Sequence, residues 1–144
     1  MAEEKVLPST YFKKELFKHN LDIKEDHMQL SKFTSVDLDI IAIYRSQRGN
    51  YIDLNKNIDL LKTDGKPVLI TGNLNFCYRN DLNNPTKLYL KSKNFSQLIN
   101  EPTHIEGHVL DQAYLRGKME ASAETHSKYY TDHRGLAIIL SKGT

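Results

Sequence analysis

The chain has 144 residues, 39% hydrophobic and 26% charged, and its 20 basic and 18 acidic side chains leave a formal charge of +2. This composition excludes a fibrous or disordered polymer and fits one globular domain. The near-balance of charge gives little long-range pull on a nucleic-acid backbone, so any such binding needs local patches.

No run approaches the roughly 20 apolar residues of a membrane span, and the polar start Met1-Ala-Glu-Glu-Lys5 lacks a signal-peptide core. A soluble protein of the cytoplasm or nucleus is expected, with no membrane contact. The single cysteine, Cys77, excludes an internal disulfide and a cysteine-based zinc site.

In chain order, residues 1–25 read as an N-terminal tail. Within it Phe12, Leu16 and Phe17 lie about one turn apart and predict a short helix over 11–20. A single domain is expected over 26–144. Residues 27–33 alternate loosely, 36–44 are rich in β-branched and aromatic side chains, and the two predict a hairpin across Thr34-Ser35.

Leu54, Ile58 and Leu61 at i, i+4 and i+7, stopped by Gly65-Lys-Pro67, predict a helix. Val68-Leu-Ile-Thr71 then predicts a strand covered on both faces. A second helix around 86–91, a short strand at 95–99, a pair of strands at 109–116 and 123–130 and a last strand at 136–140 complete the chain. The lysine clusters Lys13, Lys14, Lys18 and Lys87, Lys91, Lys93 read as solvated faces.

Strands interleaved with two helices predict an α/β (α+β) fold, one mixed sheet with helices on one face. Two helices leave the other apolar face without cover, so a second copy or a partner chain is expected to close it.

Polar residues cluster where apolar strands stop. Asn73 and Asn75, two apart in an extended segment, share a side and could reach one ligand. Asp111 begins a strand, and Asp132-His133 leads into the last one. An aspartate beside a histidine fixes its tautomer for acid or base work, a second aspartate can ligate a hard cation, and an asparagine amide can donate to phosphate oxygen.

Read in order, Ile40-Ile-Ala-Ile-Tyr44-Arg45-Ser46, Val68-Leu-Ile-Thr-Gly72-Asn73-Leu74-Asn75, Thr103-His104 with Leu110-Asp111, and Thr131-Asp132-His133 resemble the endonuclease/exonuclease/phosphatase superfamily. The likeness covers about residues 27–140 and is closest to retrotransposon and mobile-element endonucleases. It implies half of a β-sandwich. It further implies Tyr44, Arg45 and Asn75 as phosphate-binding residues, His133 as the catalytic histidine, Asp111 as its orienting partner, and Asp132 as support for the metal and attacking water. Mg²⁺ or Mn²⁺ is the implied cofactor, nucleic acid an implied ligand, and His104 a structural residue.

Two departures stand against activity. No segment before Tyr44 resembles the family's metal-binding glutamate, and a lone Asp132 would hold Mg²⁺ weakly. The family's Gly-Asp-Phe-Asn reads Gly72-Asn73-Leu74-Asn75, and an amide at Asn73 cannot take a proton. Such a loss typically adds about 3 kcal/mol or more to the barrier.

The expected function is therefore a truncated, inactive derivative of a metal-dependent phosphodiesterase. The alternatives are an active Mg²⁺-dependent endonuclease or phosphatase completed by a partner chain or second copy, and a non-catalytic module that binds nucleic acid or protein.

Overall fold

The computed structural model describes residues 3–7, 10–13, 17–63, 65–77, 81–99, 111–126 and 135–142. Its main body is a six-stranded mixed sheet. Strand β3 (Lys18–Glu25) pairs antiparallel with β4 (Met28–Thr34), and β4 pairs antiparallel with β5 (Asp39–Arg45). Strand β5 runs parallel to β6 (Val68–Asn73), which pairs antiparallel with β8 (Asp111–Arg116), and the short β7 (Ser96–Gln97) closes that edge. Beside the sheet lie two two-stranded pairs, β1 (Glu3–Leu7) with β2 (Thr10–Lys13), and β9 (Met119–His126) with β10 (Gly135–Lys142).

Helix α1 (Tyr51–Leu60) makes the crossover that parallel β5 and β6 require. Asn50 starts it by accepting from the Asp53 amide at 3.0 Å. Helix α2 (Pro85–Ser92) begins with Asn84 accepting from the amides of Thr86 and Lys87, and with proline at a position whose N–H has no helical partner anyway.

Side chains alternate across β5, so Ile41 and Ile43 face the helices while Ile40 and Ala42 face away. The first pair packs with Leu30, Leu54, Ile58, Val68, Ile70 and Leu90 in one core. The second face forms another, in which Phe33, Leu38, Ile40, Leu69 and Leu115 are buried against Met119 and Ala121 of β9 and Ile138 and Leu140 of β10.

The face expected to be open thus carries the chain's own β9–β10 pair. Of the two strands expected at 109–116 and 123–130, β8 joins the main sheet while β9 pairs with β10.

The helix expected over 11–20 does not form in the described part of that range, residues 11–13 and 17–20. Thr10–Lys13 and Lys18–Glu25 are strands, and β3 is an edge of the main sheet rather than part of a tail. An edge strand with both faces half in water carries few apolar residues, and β3 is exposed along nearly its whole length. The hairpin over 28–45, α1, β6, α2 and β10 stand close to where the sequence puts them.

Gly72 fixes how closely β5 and β6 approach. Its φ is +146°, and a Cβ there would stand 1.8 Å from the Ile43 carbonyl oxygen. Gly72→Ala is expected to destabilise the fold by about 3 kcal/mol or more, measured as a lower urea midpoint, because both the backbone angle and the neighbouring strand oppose the methyl group.

Candidate functional site

The strand register brings the expected polar residues into one line. Gln29 pairs with Tyr44, Tyr44 with Asn73, and Asn73 with Asp111, on four adjacent strands. Paired residues on neighbouring strands project to the same side, so Gln29, Tyr44 and Asn73 lie on the face that carries Ile40 and Leu69, beyond the apolar patch under the β9–β10 pair, with Asp111 next in register. Gln29, Tyr44, Asn73 and Asn75 are all half-buried. The structure thus brings Tyr44, Asn73, Asn75 and the Asp111 position to one rim. Asp132, His133 and His104 lie outside the described residues.

The rim's shape is set by the turn that leaves β6. Asn75 adopts φ +55°, its backbone N–H donates to Asn73 Oδ1 at 2.9 Å, and its side-chain Nδ2 donates to the Arg45 carbonyl at 2.6 Å. Its second Nδ2–H has no acceptor among the described residues and is chemically suited to a phosphate oxygen. Asn73, where the resemblance expects an acid, uses its amide oxygen to hold this turn.

Arg45 has a different place from its neighbour Tyr44. Adjacent strand residues point to opposite faces, and Arg45 faces the helices, 2% exposed. Its Nε donates to Leu74 O at 2.6 Å, Nη1 to Gly49 O at 2.8 Å and Gln47 O at 3.4 Å, and Nη2 to the Tyr51 hydroxyl at 2.8 Å and Asn75 O at 3.1 Å. All five N–H groups of a guanidinium are thereby occupied. Arg45 Cζ also stands 4.1 Å from the centre of the Tyr51 ring, which meets Phe76 edge-on at 5.9 Å.

These contacts make Arg45 a clasp for the rim, a different use from the phosphate contact expected of it. Burial pulls the guanidinium below its ordinary pKa, with Tyr51 and Asp81 opposing, yet arginine remains charged throughout the accessible range.

Gln112 was not singled out by sequence, and it holds the same turn from β8. It is fully buried, donates from Nε2 to Phe76 O at 2.9 Å, and accepts from the Tyr114 hydroxyl. Its signal in the sequence is slight, a polar residue inside the strand stretch between Asp111 and Tyr114. Gln29 likewise becomes visible only through register with Tyr44.

A magnesium ion asks for a near-octahedral shell of oxygens that includes carboxylate. Among the described residues no group of three histidine, cysteine or acidic side chains is placed to hold a metal. The described part of the rim offers amides, a phenol and the single acidic position Asp111, so it does not by itself make up such a shell. Among the same residues no helix is long and apolar enough to cross a membrane.

The fold of this chain is found again in solved structures of endonuclease/exonuclease/phosphatase proteins. The endonuclease domain of a telomere-specific non-LTR retrotransposon superposes with a TM-score of 0.67 at 9% identity, over 92% of this chain and 70% of its own. A mannosyl-6-phosphatase of Bacteroides thetaiotaomicron gives 0.58 at 9% identity, over 91% and 69%. The cytolethal distending toxin of Actinobacillus actinomycetemcomitans gives 0.56 at 18% identity, over 77% and 52%. No family profile and no curated protein sequence matches the chain.

Arg45→Met would leave the carbonyls of Leu74, Gly49 and Asn75 without donors in a buried setting. A loss of about 3 kcal/mol or more in unfolding free energy is expected from urea denaturation, with Arg45→Lys recovering only part because an ammonium cannot fork across three acceptors.

Proposed function

We propose that the chain is an endonuclease/exonuclease/phosphatase-type protein that binds a phosphodiester at the Tyr44–Asn73–Asp111 rim and turns it over poorly or not at all. The observation that carries this reading is Asn73. It occupies the place between Tyr44 and Asp111 where this fold's hydrolases are expected to keep an acid, and its amide oxygen is engaged with the Asn75 amide.

A primary amide neither accepts a proton at neutral pH nor supplies a negative oxygen to a cation. Binding survives this change better than catalysis does, because holding a phosphate needs donors and catalysis needs charge that matches the transition state. Tyr44 and the second Asn75 N–H provide such donors. His133 and Asp132, by resemblance, would add a proton carrier and one metal-supporting carboxylate. Mg²⁺ or Mn²⁺ is the cofactor of any residual activity, and descent from a mobile-element nuclease fits both the sequence motifs and the retrotransposon neighbour.

The wild-type chain, incubated with Mg²⁺ or Mn²⁺, is expected to leave supercoiled plasmid and an abasic duplex intact while retaining a labelled oligonucleotide at low salt. Asn75→Ala should weaken that retention by roughly tenfold, the worth of one hydrogen bond to a charged oxygen. Cleavage by the wild-type protein that disappears in His133→Ala would overturn the proposal.

A further inference from the structure

The polar line does not stop at Tyr44. Beyond Gln29 on β4, the register continues to Lys24 on β3, which pairs directly with Gln29. Lys24, Gln29, Tyr44, Asn73 and Asp111 therefore stand at one level on five adjacent strands, β3, β4, β5, β6 and β8. Strand spacing of about 4.8 Å makes this line roughly 19 Å long. A phosphomonoester fills only one end of it, whereas a polynucleotide strand lays several phosphates along it.

The β3 end of the line suits such an occupant. Lys24 is exposed and has no carboxylate partner among the described residues. The acid nearest to it along the same face of β3 is Asp22, which accepts from Ser31 Oγ at 2.6 Å and lies 2.7 Å from His19 Nε2. Burial raises the pKa of that carboxyl, but bonds from Ser31 and His19 and the charge of His19 outweigh it and hold the group below its usual range. Asp22 is thus committed to its own neighbours. Gln29, half-buried between Lys24 and Tyr44, offers an amide N–H to the same backbone.

Resting on the proposed phosphodiester site, we infer that the site extends across β4 to the sheet edge, with Gln29 and Lys24 holding a polynucleotide strand upstream or downstream of the phosphate at Tyr44 and Asn75. The substrate class is then a polymer of phosphodiesters rather than a small phosphate ester. A lysine on an edge strand also discourages pairing with another sheet, and length dependence separates the two uses.

Fluorescence anisotropy with the full chain and two labelled single-stranded DNA probes, a dinucleotide and a 12-mer, tests this. A dinucleotide at Tyr44 and Asn75 cannot reach Lys24, two strands away. Lys24→Ala is expected to weaken the 12-mer three- to tenfold, to lower the slope of log affinity against log salt by about 0.7, and to spare the dinucleotide. Lys56→Ala, on the exposed side of α1, removes the same charge without the same place and should leave both probes unchanged.

Asn75→Ala should weaken both probes and reports on the underlying site. If it does so while Lys24→Ala spares the 12-mer, or weakens both probes equally, the extension is overturned and the site stands. If Asn75→Ala changes neither probe, or the wild type binds neither, the phosphodiester reading falls and the extension with it.

Discussion

The fork of Arg45 is the interaction on which the rim depends. One buried guanidinium binds the turn after β5, the first residue of α1 and the turn after β6, three segments that the chain visits between residues 45 and 75. Turns at strand ends carry carbonyls that no ladder satisfies, and burying them without donors would cost about 1–3 kcal/mol each. Arg45 supplies the donors from a single side chain. Gly49 makes room for this, since a Cβ there would stand 2.5 Å from Arg45 Cγ. Asn75 returns the bond by donating to the Arg45 carbonyl, so the clasp and the Asn75 side-chain amide are parts of one network.

That arrangement explains what the sequence disclosed and what it withheld. The β-branched run through Ile40, Ile41 and Ile43, the helical spacing of Leu54, Ile58 and Leu61, and the apolar Val68-Leu-Ile each follow from local periodicity and are seen in place. Phe12, Leu16 and Phe17 mimic a helical stripe, but Phe17 packs under the sheet with Phe33 and Leu38, a contact decided by distant residues. Hairpin β9–β10 as cover for the second face was out of reach for the same reason, because alternation in a strand tells which side is apolar and not what lies against it.

At the site, strand-end residues were legible as a class, and their roles were not. Tyr44 and Arg45 looked like a pair because they adjoin in sequence, yet alternation sends them to opposite faces of the sheet. Gln29 and Lys24 carry no motif at all. They join the line through pairing register, which couples β3, β4 and β5 and cannot be read from any one of them.

The turn held by Asn73 has one more consequence. A carbonyl oxygen of an amide and an oxygen of a carboxylate accept the same N–H with nearly the same reach, so the loop that presents Asn75 keeps its shape whichever of the two stands at position 73. The scaffold is blind to that choice. A single-base change converts an aspartate codon into an asparagine codon, and selection for folding alone would pass over it. On the proposed function, a rim of this design would change its chemistry without its sheet registering the event.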